Sequence, residues 1–187
     1  MKVSFNAPVV LTFTIIATIV MVITAVGWPR FNMLFFAVGH EFVYTSVLSW
    51  FRLFSHIIGH ADFGHLFGNF TMILLVGPML EEKYSSSEFM LMIAITAVTT
   101  GVLQLVLFPG TLLLGASGVV FMMIILASMS NMHDGEIPAT FILVTVIFLG
   151  AEIASAFKAD NISQFTHIAG GICGAGLGFL ADRKRVT

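Results

Sequence analysis

Residues 112–121 read LLLGASGVVF, which sets one serine between Gly115 and Gly118 inside an otherwise apolar run. A serine hydroxyl becomes an effective nucleophile only where a base takes its proton. His167, at the head of the run HIAGGICGAGLGFL, is such a base. The chemistry of the pair would be acyl transfer. His167 deprotonates Ser117, the oxygen attacks a carbonyl, and His167 returns the proton to the leaving group. The tetrahedral oxyanion formed on the way needs hydrogen-bond donors. The backbone N–H of Ser117 is one, aided by the positive end of the helix that starts there. His65 and Asn69 supply two more: at i and i+4 they share a helical face, and each side chain carries an N–H. Gly115 and Gly118 permit the tight helix start and close backbone approach that the site requires. The acidic residue nearest His167 is Asp160, about two helical turns earlier, so the pattern describes a Ser–His dyad rather than a triad.

Such residues must be held by apolar elements, because little else is available. Of 187 residues 58% are hydrophobic and 10% charged, against about 25% charged in soluble domains. The net charge of -2 gives no nucleic-acid signal, and the single cysteine, Cys173, excludes an internal disulfide and a thiolate metal site. No charge stands between Lys2 and Arg30, a stretch too long for a signal-peptide core, which predicts a retained first span. The expected fold class is all-α and polytopic, one membrane domain over 1–187. A spanning helix takes about 20 mostly apolar residues. Six segments qualify: 8–26, 64–80, 89–108, 115–130, 138–157 and 163–181. The fourth is short, and the TLLL ahead of it reads as a loop dipping into the bilayer, allowed where protein or a wet cavity satisfies its backbone. The long connection 27–63 mixes aromatics with Arg30, His40, Glu41 and Arg52, which suits an element lying in the membrane interface. A loop with ordinary buried aromatics is the alternative.

Six spans put both termini on one face with Lys2, Lys83, Arg183, Lys184 and Arg185, leaving Arg30, Arg52 and Lys158 opposite. The positive-inside rule then predicts cytoplasmic termini. In that orientation spans two, four and six run inward from the outer face. Each carries its unusual polar residues near its start: His65 and Asn69, Ser117, and His167. Intramembrane ionisable residues are functional candidates by default. The competing explanation is interhelical glue worth roughly 0.6 kcal/mol per bond, with Ser117 a packing spacer. Convergence of the four at one depth favours a site. Gly170, Gly174 and Gly178 recur every fourth residue, the small-residue stripe that lets two backbones approach, and His167 stands at its top.

These motifs resemble the rhomboid intramembrane serine proteases over nearly the whole chain. The family's G-x-S-G is matched by GASG, its H-x-x-x-N by HLFGN, and its histidine with a glycine stripe by HIAGGICG. SHIIGHADFGHLFGN keeps the family spacing of His56, His60 and His65, and GPMLE resembles G-x-x-x-E through Gly77 and Glu81. The resemblance implies that Ser117 is the nucleophile and His167 the base, with His65 and Asn69 serving the oxyanion. Gly115, Gly118, Phe121, Gly170, Gly174 and Arg52 would support them. It implies single-pass transmembrane proteins as substrates, the lipid bilayer as surroundings, no cofactor and no metal, in a compact core of the kind found in bacterial inner membranes. Two departures stand out. The first loop has WFR where many members have adjacent Trp-Arg, so Phe51 takes the tryptophan position. Four residues after the serine, Phe121 replaces a tyrosine, which keeps a ring to pack on His167 and loses a phenolic hydroxyl.

Two other function classes remain open at this point. His56, His60 and His65 have spacing reminiscent of zinc ligands, with Asp62 the nearby carboxylate. That reading leaves Ser117 without a role, and His56 and His60 otherwise orient the loop by hydrogen bonds. A non-proteolytic relative that binds or dislocates membrane helices is the other, although such proteins usually lack the serine or the histidine.

Overall fold

The computed structural model describes residues 5–39, 42–129, 137, 139–144, 146–147 and 161–186, with side chains of the last helix described over 165–181. It is predominantly helical. The elements are α1 (Pro8–Val26), α2 (Phe31–Phe36), β1 (Val38–Gly39), α3 (Val47–Ser55), α4 (Phe63–Tyr84), α5 (Ser86–Leu107), β2 (Leu112–Leu113), α6 (Ser117–Ser128) and α7 (Asn161–Val186). Among the described residues three helices, α1, α4 and α5, are long and apolar enough to cross a membrane. α6 and the Phe165–Ala181 stretch of α7 are apolar but shorter. The expected fifth span, 138–157, lies largely outside the described residues, of which 139–144 and 146–147 are helical, and Asp160 lies outside them altogether.

The core is where α1, α4, α5 and α6 meet, around Val10, Phe70, Ile73, Phe89, Val119 and Met122. The outward faces remain apolar: Ile15 and Ile19 on α1, Leu75 on α4, and Leu91 and Val106 on α5 are all exposed. Exposed aliphatic side chains around a satisfied helical backbone are what hydrocarbon surroundings demand.

The expected second span ends at residue 80, but α4 runs on to Tyr84, and the extra turn has a purpose. Glu81, buried at 3% exposure, accepts hydrogen bonds from Val9 N–H (2.9 Å) and Val10 N–H (3.0 Å) at the start of α1, and from the Ser86 hydroxyl (2.6 Å). The first amides of a helix have no partner inside it, and a carboxylate there also meets the positive end of the helix dipole. Pro8, at the first helical position, has no N–H to satisfy. Gly77, one turn earlier on the same face, lets α1 come close, since a Cβ there would lie 2.7 Å from Val10 Cγ2. Thus the Gly77–Glu81 spacing is a docking device for α1.

The first loop is built from α2, β1 and α3. Arg52 on α3 donates from Nε (2.9 Å) and Nη2 (2.5 Å) to the Leu34 carbonyl, and the Ser55 hydroxyl donates to the Phe35 carbonyl (2.9 Å). These bonds satisfy carbonyls that the end of α2 leaves without helical partners. Trp50, Phe51 and Phe54 remain about half exposed. TLLL is not a free dip: β2 pairs antiparallel with β1, Val38 opposite Leu113 and Gly39 opposite Leu112. The ladder ties the first loop to the segment that leads into Ser117.

Candidate active site

Ser117 is the first residue of α6 and is half-buried. The chain reaches it through Gly115, whose φ of +128° only glycine adopts without strain. A Cβ at Gly115 would also stand 2.6 Å from His65 Cε1 and 2.9 Å from its Nε2. The imidazole of His65, in the first turn of α4, therefore lies directly against the backbone that precedes Ser117. Asp62 caps α4 by accepting the His65 backbone N–H at 2.8 Å, which fixes the turn that carries the ring. One turn on, Asn69 is buried, and its Nδ2 has no hydrogen-bond partner among the described residues.

α6 packs most extensively against α7 among the described helices. Small residues at the crossing make this possible. A Cβ at Gly170 would lie 2.7 Å from the Gly118 carbonyl carbon and 2.9 Å from Gly118 Cα; at Gly174 it would lie 2.5 Å from the Met122 carbonyl oxygen. A Cβ at Gly118 would crowd Thr100 Cγ2 (3.1 Å) and Thr166 Cγ2 (3.2 Å). Three residues before Gly170, the His167 ring stacks on Phe121 with centroids 4.3 Å apart and planes 5° from parallel. Phe121 is i+4 from Ser117, so the stack lies over the α6 face that carries the serine. Side chains from α4, α6 and α7 thus converge beside the start of α6.

His56 and His60 form a support behind that start. The His56 carbonyl accepts the Gly115 N–H (2.9 Å), and His60 Nε2 accepts the Ala116 N–H (3.4 Å). The His60 Nδ1–H donates to the Ile58 carbonyl (3.1 Å), while His56 donates from Nδ1 to the Leu53 carbonyl (3.1 Å) and sets Nε2 beside the Thr100 hydroxyl (3.3 Å). Burial lowers the pKa of each ring to about 4, against smaller opposing effects of backbone hydrogen bonds, so both are neutral. Every ring nitrogen of the pair faces a protein partner, which does not fit the metal reading, and among the described residues no cluster of three or more His, Cys, Asp or Glu could hold a metal ion. Arg52 acts within the first loop, on α2.

Sequence patterns did not single out the polar stripe on α5. Thr96, Thr100 and Gln104 are buried at successive turns, Thr100 beside His56 and Gln104 donating to the Thr111 hydroxyl (2.7 Å) just before β2. Its i, i+4, i+8 spacing in an apolar run was the available signal. Asn32, isolated in the first loop, had none.

Against known families, residues 47–184 match the rhomboid domain. The chain is 34% identical over 141 residues to Rhomboid-related protein 1 of Caenorhabditis elegans, covering 69% of this chain and 39% of that protein. It is 23% identical over 137 residues to Rhomboid protease GlpG of Haemophilus influenzae, covering 72% of this chain and 71% of that one. It is 29% identical over 130 residues to Rhomboid protease GluP of Bacillus subtilis, covering 67% of this chain and 25% of the relative. The chain therefore spans well under half of two of these relatives. With the family match extending over more than half of the chain and apolar helices of spanning length, this is an integral membrane protein that belongs to the rhomboid family.

Proposed function

We propose that this chain is an intramembrane serine endopeptidase that cuts transmembrane segments by a Ser117–His167 dyad. The observation that carries the reading is the His167–Phe121 stack above the helix that begins at Ser117, with α6 and α7 in backbone contact at Gly118 and Gly170. His167 takes the Ser117 proton as the hydroxyl oxygen bonds to the scissile carbonyl carbon. The same imidazolium then protonates the departing amine, and a water molecule repeats the sequence to release the acyl product. The oxyanion is met by the Ser117 N–H, which at the first turn of α6 has no intrahelical acceptor, and by His65 and Asn69. The buried Asn69 Nδ2 without a protein partner suits that duty. Phe121 sets the plane of the base, and the family's phenolic hydroxyl is not needed for stacking. No cofactor enters these steps.

In this reading residues 1–187 form one domain of six spans with an interfacial first loop and cytoplasmic termini, in a bacterial inner membrane. Its substrates are single-pass proteins whose helix unwinds near the outer face, as a peptide bond must leave helical geometry to reach Ser117. Rhomboid proteases among the relatives support the activity by family. The test is cleavage of a reporter transmembrane substrate in detergent, where Ser117→Ala should abolish product; undiminished cleavage would remove Ser117 from the chemistry. A reporter fused after Thr187 should read cytoplasmic, and an external result would overturn the orientation.

A further inference from the structure

We propose that Asn32, in the first loop and remote in sequence from the dyad, is a positioning residue for the reaction: it clamps the 56–60 segment on which the start of α6 is hung. The inference rests on Ser117 being the nucleophile.

Asn32 and Phe36 are the buried residues of α2. Asn32 is 4% exposed, and its Nδ2 donates to the carbonyl of His60, 28 residues away. A carbonyl only accepts, so this bond fixes which way the amide is turned. Residue 59 shows how closely α2 and the segment meet. A Cβ at Gly59 would lie 2.6 Å from Asn32 Oδ1 and 2.6 Å from the Phe36 carbonyl oxygen. Asn32 thus grips the His60 backbone beside Gly59, which has no side chain of its own to pack.

What hangs from the segment is the start of α6. The His56 carbonyl holds the Gly115 N–H (2.9 Å), and His60 Nε2 holds the Ala116 N–H (3.4 Å). These are the two amides immediately before Ser117. The Ala116 bond is long and depends on where the His60 ring points, which the Ile58 carbonyl, ring contacts with His65 and Phe70, and the Asn32-held carbonyl of His60 itself decide together. Release of that carbonyl frees the backbone of His60 and slackens the ring's hold on Ala116. The Ser117 hydroxyl and N–H then lose their fixed placement relative to His167. The expected loss falls on kcat, because what slackens is the placement of Ser117, whose contribution is made in the transition state.

A structural role and a positioning role predict different results for Asn32→Leu. Leucine keeps the branching and the number of heavy atoms, with bulkier methyls, and removes both the donor and Oδ1, a buried acceptor with no partner among the described residues. Asn32→Asp keeps the shape, and when ionised it cannot donate. The full chain would be purified in detergent as wild type and as each variant. Reporter-substrate kinetics, thermal midpoint and amide hydrogen exchange at residues 112–121 would be measured on all three. Positioning predicts that Asn32→Leu stays folded with a modestly lower thermal midpoint, since the His60 carbonyl loses its donor, with KM within about twofold, kcat lower by roughly tenfold to a hundredfold, and faster exchange at Gly115 and Ala116. Asn32→Asp should reproduce the kcat and exchange changes at pH values where its carboxyl is ionised, and lose them where it is protonated and can donate. Unchanged kcat in a folded variant, or a kcat loss with no change in exchange at Gly115 and Ala116, overturns the proposal. A wild-type chain without Ser117-dependent cleavage would instead overturn the protease reading, and the exchange measurement would still accept or reject the clamp.

Discussion

Replacement of Gly170 by alanine should separate catalytic geometry from stability. The added Cβ would lie 2.7 Å from the carbonyl carbon and 2.9 Å from Cα of Gly118, and closer still to the carbonyl oxygen. Carbon atoms rest at about 3.5–4.0 Å. The obstacle is helix backbone on both sides, so no side chain can swing away, and α7 must retreat from α6 by about 1 Å. His167 is three residues from Gly170 on the same helix and must move with it, opening the 4.3 Å stack on Phe121. Misplacement of a reacting group by about 1 Å costs on the order of 10²-fold in rate. The stability cost is smaller: overpacking takes roughly 1–3 kcal/mol, against a gain of about 0.8–1 kcal/mol from replacing a helical glycine by alanine. Gly176 supplies the control, because a Cβ there meets nothing within 4 Å. Initial rates on a reporter transmembrane substrate, with thermal unfolding of the same samples, should show Gly170→Ala about a hundredfold slower yet folded. Gly176→Ala should be fully active and no less stable. Wild-type rates in Gly170→Ala, or equal damage from both substitutions, would refute the reasoning.

Asn69→Ala should lower kcat by about 10²-fold or less with little change in KM, since two oxyanion donors remain. Its thermal midpoint should hold, because the Nδ2 lost has no protein partner; full kcat with a lower midpoint would make Asn69 a packing residue. Glu81→Ala strands the Val9 and Val10 amides at the start of α1. It should cost roughly 2–4 kcal/mol of stability, read from the shift in detergent-unfolding midpoint, while the folded fraction keeps its kcat. His56 and His60 give the pH dependence. Their pKa values are near 4 in the fold and about 6.5 when unfolded, so the unfolded chain takes up protons first as pH falls. Their neutral burial costs nothing above about pH 6.5, and stability declines from there toward pH 4, by up to roughly 3 kcal/mol per ring at about 1.36 kcal/mol per pH unit. Thermal midpoints should therefore drop between pH 7 and pH 5, and a flat profile would contradict the neutral burial of the two rings.

How much was legible follows from how each contact is made. α1 falls at Pro8–Val26 as hydropathy predicts, because a charge-free apolar run leaves a helix no alternative in a membrane. Ser117, His65, Asn69 and His167 were legible as polar residues in an apolar background. The packing of Phe121 on His167 was expected from the family resemblance, and the i+4 step that puts the ring beside the serine is its physical reason. The expected fourth span begins, as α6, at Ser117 rather than Gly115, since Gly115 is turned to φ +128° beside the His65 ring, and that ring comes from another helix. TLLL pairs with Val38–Gly39 across more than seventy residues, a partnership with no local pattern. Glu81 stood out by its spacing from Gly77, but its partners are backbone amides of α1 and leave no trace in residue identity. Asn32 was invisible for the same reason: a side chain bonded to a distant carbonyl carries no periodicity.

The central claim is that His167 activates Ser117, and reaction with a fluorophosphonate probe tests it most directly. A serine hydroxyl reacts with such a probe only when a neighbouring base activates it, and here only the fold brings that base near. Labelling of the intact wild-type protein should map to Ser117 among all its serines, survive chelators, and fall sharply in a folded His167→Ala variant. Labelling of Ser117 that persists undiminished in that variant, or its absence from wild type, would contradict the dyad.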